Sequence, residues 1–261
     1  DRWPHRLPRK LSKQVPHAYP FWLAQCGALL KRRGYRVHYT DSIAEGLGID
    51  GTVERFRDLR PDMVVIATST PTIHTDLLMA RLAREKAGAF TVLVDTHATV
   101  FHRELVGEAF VDAAVRGEFE VAVADLADAL NRGAGPGGVA GVTWKRDGAI
   151  VHEADRPWRE PDGFPPLPIE RLGDVSPYLA RTFLGRRTGV HQAALGCRYR
   201  CSQFTLGPTQ RGICRAWIAC SLGDLPQVEG YHVCVNLGLT TRSEWFPSIF
   251  YQTRNRSFFV G

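Results

Sequence analysis

The residues able to do chemistry are unevenly spread along this 261-residue chain. Of its six cysteines, Cys26 stands alone, while Cys197, Cys201, Cys214, Cys220 and Cys234 fall in the last quarter. The basic, proline-bearing stretch Asp1 to Lys13 has no apolar run behind it, so a signal peptide is not expected there. A disulfide framework is therefore not expected, and clustered thiols read first as metal ligands. The sharpest group is Gly196-Cys197-Arg198-Tyr199-Arg200-Cys201, which directly follows a predicted strand over Gly189 to Leu195. Two thiols four residues apart in a strand-end loop can converge on one metal centre, since thiolates suit iron–sulfur clusters and zinc. A structural zinc on Cys197, Cys201, Cys214 and Cys220 is the alternative, but the spacing lacks the paired CxxC knuckles such sites use.

A second group is polar. The segments Asp41-Ser42, Thr68 to Thr72, Asp95 to Thr99 and Arg116 to Glu120 each follow an apolar run, and all are small or polar. In an open α/β sheet, ligands sit beyond the carboxyl ends of the strands, and these segments offer hydroxyls and backbone amides to a planar ligand there. Strand-end loops are polar in most proteins, so the pattern alone points only weakly to a cofactor.

The elements that must position these residues alternate. Helical spacing of apolar residues runs from Phe21 to Arg33 and is stopped by Gly34. A short strand is expected over Tyr35 to Tyr39, a helix over Val53 to Leu59, and a strand over Met63 to Ala67, apolar throughout as if buried on both faces. A helix over Thr75 to Lys86, a strand over Phe90 to Val94, a short helix over Arg103 to Ala109, a strand over Ala113 to Val115 and a helix over Val121 to Leu130 follow. This alternation predicts a doubly wound parallel sheet with right-handed crossovers. The first helix has no strand before it, which is unusual for such a domain. Beyond Gly133 a hairpin is expected over Val142 to Trp144 and Ala149 to Val151. Six prolines between Pro157 and Pro177 then mark an extended linker. The expected organisation is a first domain over 16–133, a hairpin and linker over 134–185, and a second domain over 186–261.

The composition is that of a globular protein, with 44% apolar and 23% charged residues. No apolar run has the length needed to span a bilayer, so a cytoplasmic protein without a membrane partner is expected. The net charge is +6, but Lys and Arg are scattered (Lys31, Arg32, Arg33, Arg55, Arg57, Arg60, Arg186, Arg187) rather than gathered in a stripe, so no nucleic-acid partner is expected.

Taken in order, these pieces resemble the cobalamin-binding radical SAM family. The resemblance runs from about Pro16 to Pro208 and rests on Tyr19-Pro20 ahead of a helix, Gly34-Tyr35-Arg36-Val37, and Arg60-Pro61-Asp62-Met63-Val64. It continues with Asp95-Thr96-His97-Ala98-Thr99, where the family has two glycines and a proline before His-Ala-Thr, then Val115 to Glu120, the proline linker, and Gly196 to Ser202. It implies a Rossmann-like cobalamin domain followed by a partial (β/α) barrel. Ser69, Thr70, Asp95, Thr96, His97, Ala98, Arg116, Gly117 and Glu118 would then line the cobalamin site. Cys197 and Cys201 would ligate a [4Fe–4S] cluster that binds S-adenosylmethionine and cleaves it to a 5′-deoxyadenosyl radical. Methyl transfer or rearrangement at an unactivated carbon is the implied chemistry, with a flavodoxin or ferredoxin as electron donor and an unidentified substrate.

The sequence departs from the family pattern at two places past the linker. The third cysteine of CxxxCxxC is replaced by Phe204, followed by Thr205, and the next thiol, Cys214, is ten residues further on. Phenylalanine cannot ligate iron. Likeness fades after Pro208, and the chain is expected to hold only the opening of a barrel, as a gene fragment, a frameshifted reading or a decayed copy would. Asp95-Thr96-His97 also brushes against the DxHxxG motif of cobalamin mutases, yet position 100 is Val100 rather than glycine and the segment follows a later strand. His97 is therefore expected to have a structural or edge-contact role, and the resemblance implies cobalamin without a histidine ligand to cobalt. The competing reading is a binding module for cobalamin or a nucleotide-like ligand whose C-terminal part is inert.

Overall fold

The computed structural model describes residues 20–157 and the segments 176–178, 180–182, 185–192, 232–236, 249–252 and 257–259. The chain forms two compact units, one of residues 29–42 and 46–158 and the other of residues 1–28, 43–45 and 159–261.

Helix α1 (Phe21–Arg32) ends where the sequence requires. Gly34 takes a left-handed φ of 92°, its N–H bonds to Lys31 O, and the N–H of Tyr35 reaches back to Leu30 O, which is the Schellman stop. The expected strand over Tyr35 to Tyr39 is not formed, although the residues alternate between half-buried and exposed with the period of a strand. No strand among the described residues pairs with them. The segment is held by side chains instead: Arg33 pairs with Asp125 and Asp128, and the Tyr35 hydroxyl donates to Asp128, both acids lying on the later helix 120–131.

Next come α2 (Ile49–Leu59), β1 (Met63–Ala67), α3 (Ile73–Ala87), β2 (Phe90–Val94), α4 (Asp95–Val100), α5 (His102–Gly107), β3 (Ala113–Val115), α6 (Glu120–Asn131), β4 (Val142–Arg146) and β5 (Ala149–His152). The five strands form one sheet in the order β1-β2-β3-β4-β5. β1, β2 and β3 run parallel, with Ala67 beside Val94 and Leu93 beside Ala114. The α/β, Rossmann-like layering is as expected, but the sheet is mixed. The hairpin expected ahead of the proline linker joins the sheet, because Val115 pairs antiparallel with Val142 and Ala113 with Trp144.

The core follows strand alternation. Leu93 and Ala114 pack on one face with Ala80, Ala98, Leu105, Val106 and Val111, flanked by Ile66, Ile73, Leu77 and Phe110. Val92, Val94, Ala113 and Val115 point to the opposite face and are fully buried. Both faces of β2 and β3 are thus covered, which is why their sequences are apolar throughout. β1 ends the sheet among the described residues and is half-buried along its length.

In the second unit, β6 (Ala180–Thr182), β7 (Gly185–Gln192), β8 (His232–Asn236), β9 (Ile249–Gln252) and β10 (Ser257–Phe259) form a sheet in the order β10-β9-β8-β7-β6. β7 begins ahead of the expected strand over 189–195 and pairs parallel with β8, as successive strands of a (β/α) barrel do, whereas β6, β9 and β10 are antiparallel neighbours.

Candidate cofactor site

The parallel register brings the ends of β1, β2 and β3 side by side, so Thr68, Asp95 and Arg116 each begin a loop on one edge. Two threonines fasten these loops together. Thr68 is fully buried; its Oγ1 donates to Val94 O at 2.8 Å and accepts the N–H of Ala98 at 3.2 Å. Thr99 Oγ1 donates to Asp95 O at 2.8 Å and accepts the N–H of Gly117 at 3.0 Å. The first loop is therefore tied to the second, and the second to the third.

Asp76, buried near the start of α3, organises the first loop. It accepts from the Thr72 hydroxyl at 2.7 Å and from the Ser69 N–H at 3.4 Å, and the Ser69 and Thr72 hydroxyls bond to each other at 2.8 Å. A carboxylate in the first turn of a helix is also favoured by the helix dipole.

The second loop is a six-residue helix, where the sequence suggested loop. Asp95 turns the chain with a left-handed φ of 86°, a conformation that costs about 1–3 kcal/mol in a residue carrying a side chain. This is the segment where the resembled family places glycines, and the backbone accounts for that choice. The Asp95 carboxylate accepts the N–H of Thr96 at 2.6 Å.

His97 and Thr70 meet across the gap between the first two loops, with Thr70 Oγ1 3.0 Å from His97 Nδ1. Burial lowers the imidazole pKa, and Asp76 and Glu104 only partly oppose it, so the ring is neutral near pH 7. Phe101 stacks on it at 4.6 Å between centroids. Phe101 and Val100 are 40% and 46% exposed, which leaves an apolar ledge beside polar loops.

Of the residues singled out from the sequence, Ser69, Thr70, Thr96, His97, Gly117 and Glu118 lie exposed or half-buried on this edge. Asp95 is nearly buried, and Ala98 lies wholly in the core, so Ala98 acts there through its main chain. Arg116 sends its guanidinium toward the hairpin, where it donates to Val142 O, Thr143 Oγ1, Glu153 O and Asp155. The sequence-based reading missed Thr68, Asp76 and Thr99 as fasteners and Val100 and Phe101 as a ledge. Thr68 and Thr99 stood within the segments noted, but nothing in a sequence gives a hydroxyl its partner. Cys197, Cys201 and Cys214 lie outside the described residues.

Residues 14–127 match the family model for the B12 binding domain. An uncharacterized methyltransferase of Pyrococcus horikoshii is 28% identical over 199 residues, covering 74% of this chain and 42% of that protein. The anaerobic magnesium-protoporphyrin IX monomethyl ester cyclase of Cereibacter sphaeroides is 31% identical over 191 residues, covering 70% of this chain and 31% of the cyclase. The matched stretch is thus less than half the length of each relative. Among solved structures, the cobalamin-dependent S-adenosylmethionine radical enzyme OxsB, with aqua-cobalamin and S-adenosylmethionine bound, superposes with a TM-score of 0.67 at 14% identity, over 91% of this chain and 34% of that one. The radical S-adenosylmethionine methyltransferase TsrM of Kitasatospora setae gives 0.60 at 18% identity, over 84% of this chain and 45% of that one. Residues 14–127 thus match the B12-binding domain family, and the chain shares its fold with cobalamin-dependent radical S-adenosylmethionine enzymes.

Proposed function

We propose that the edge formed by the ends of β1, β2 and β3 binds cobalamin. The observation that carries this reading is the fastening of three neighbouring strand-end loops into one surface by Thr68 and Thr99, with Val100 and Phe101 presented beside it. A corrin is a broad, largely apolar disc with a polar rim of amides. It suits a floor of exposed apolar side chains ringed by hydroxyls and main-chain N–H groups. Val100 and Phe101 would support the ring, while Ser69, Thr70, Thr96 and the main chain at Gly117 and Glu118 would meet the rim amides. Thr70 meets His97 Nδ1 and Phe101 stacks on the ring, so the histidine would form a wall of the site. Bound cobalamin supplies a cobalt centre able to carry a methyl group, and the protein supplies position and exclusion of water.

The wider activity proposed for the protein is radical S-adenosylmethionine chemistry, with methyl transfer favoured by the methyltransferases among its relatives and fold neighbours. The residues expected to hold a [4Fe–4S] cluster do not complete the family donor set: Cys197 and Cys201 are followed by Phe204 in the third place. The same substitution favours the second reading, a cobalamin-binding module without catalysis of its own. An electron donor such as a flavodoxin or ferredoxin belongs only to the catalytic reading.

Titration of the full chain with hydroxocobalamin, followed by absorbance and by gel filtration with bound colour, tests the first proposal. Stoichiometric binding is expected, weakened at least about tenfold by Phe101→Asp, since placing a charge against an apolar face costs more than 1.4 kcal/mol. Failure to retain cobalamin would remove the reading. Anaerobic reconstitution with iron and sulfide separates the other two. A cluster formed by the natural chain supports catalysis, whereas one formed only by Phe204→Cys supports the module.

A further inference from the structure

Beside the strand-end edge, three side chains meet on one hydroxyl. Thr143 of β4 is fully buried, and its Oγ1 accepts from Arg116 Nη1 at 2.5 Å. The same oxygen lies 3.1 Å from His102 Nδ1 and 3.2 Å from His152 Nδ1. His102 opens α5, His152 closes β5 and Arg116 follows β3, so three separate elements converge. The two imidazole rings are edge to face, with centroids 4.9 Å apart.

A hydroxyl has one proton and two lone pairs. Arg116 occupies one lone pair with a proton of its own. The hydroxyl proton can then serve only one imidazole, and the other imidazole must donate its Nδ1–H into the second lone pair. Both contacts exist together only when one Nδ1 accepts and the other donates. An accepting Nδ1 belongs to a neutral ring, so the pair tolerates one positive charge and not two.

We propose that the Arg116, Thr143, His102 and His152 cluster is a proton-controlled latch that fastens the hairpin β4–β5 to α5 and to the end of β3, and that opens when both imidazoles are charged. The surrounding charges favour this assignment. Arg103 and Glu104 face the rings from α5, Arg116 from the end of β3, and Asp155 lies beyond the hairpin, where it pairs with Arg116 but is largely exposed. Burial lowers the pKa of both rings; Arg116 and Arg103 lower both further, His152 adds to the effect at His102, and Glu104 opposes it there. A depressed folded-state pKa means that the latch's stability is present above the ordinary imidazole value and is lost as pH falls through the folded values.

The latch bears on the cofactor edge because Arg116 runs directly into Gly117, whose N–H is held by Thr99. Lys145 anchors the other part of the hairpin, donating to Gly107 O and Glu108 O at the end of α5 at 2.8 and 3.0 Å. No imidazole takes part there, so acid opens the hairpin at Thr143 and leaves it attached at Lys145.

The test uses the full chain with ring-15N histidine. At about pH 7.5 the two rings should show opposite tautomers, and only one should gain a proton readily as the pH is lowered below the ordinary imidazole range. Amide exchange over 142–145, corrected for its intrinsic pH dependence, should quicken roughly tenfold on acidification while 92–94 stay protected. Identical tautomers with independent titration, or hairpin exchange that follows the intrinsic rate alone, would overturn the proposal. Thr143→Val should abolish the coupling between the rings. Where that variant does not fold, His152→Gln keeps the test open, since its amide can either donate or accept and does not titrate. Acid loosening should vanish in His152→Gln, and its persistence would refute the latch.

Discussion

In the half of the sheet built from β1, β2 and β3, apolar side chains fill the faces, and the loops are joined to one another by neutral hydroxyl-to-backbone bonds such as those of Thr68. In the half built from β4 and β5, the β5 side chains are mostly exposed, and beyond the backbone ladder to β3 the side-chain attachment passes through charged or titratable groups: Arg116, Lys145 and the two histidines around Thr143. Strands in one continuous sheet are therefore held by two kinds of force. Burial is indifferent to proton concentration, whereas cation-dependent bonds are not. The first half is suited to being a fixed platform, and the second to responding.

Four substitutions would break or sharpen this contrast. The largest effect belongs to the platform. Leu93→Ala removes a fully buried side chain at the centre of the core cluster and should cost about 2–5 kcal/mol in chemical denaturation, with the whole unit losing stability together. Arg116→Gln removes a guanidinium that is 13% exposed and bound to two carbonyls and a hydroxyl. It should cost about 1.5–3 kcal/mol, visible as faster amide exchange confined to the hairpin. The Asp155 pairing, being exposed, contributes little of this. Loss of protection across β1 and β2 as well would show that the halves are not independent.

Thr68→Val keeps the shape of the side chain but leaves the buried N–H of Ala98 without its acceptor, and should cost about 1–2 kcal/mol. Its signature is a weaker hold between the first two loops, read as faster exchange at Ala98 than at Leu93. The smallest effect is a gain. Asp95→Gly relieves a left-handed φ and loses a local bond to the Thr96 N–H, while the unfolded chain becomes freer. A net stabilisation of up to about 1 kcal/mol is expected from the midpoint of thermal unfolding. A loss of stability would mean that the carboxylate does more than tolerate its position.

Much of the platform was legible. β1, β2 and β3 occupy the runs expected from the sequence, because a strand covered on both faces must be apolar at every position and is bounded by polar turns. Helix ends were displaced by a few residues, as at Ile49–Leu59, where only the apolar part from Val53 gave a signal. The short helix Asp95–Val100 was read as loop, since Thr, His, Thr and Val have no strong helical preference and tertiary contacts decide. The strand at Tyr35 to Tyr39 was over-read from an alternation that is present in its exposure but has no strand beside it among the described residues. The site was half legible: position relative to strand ends follows from topology, but the destination of Arg116 does not. A guanidinium next to a candidate ligand loop reads as a ligand contact until the hairpin that captures it is known.

The paired threonine bonds between neighbouring loops have a consequence for molecular recognition. A surface whose segments are already joined main chain to side chain loses little disorder when a guest arrives, so the entropy of ordering loops is largely met at folding rather than at association. Capture of a large rigid disc by such a surface should resemble docking onto a finished mould. Its heat of binding would then reflect desolvation of Val100 and Phe101 more than any reshaping of the loops.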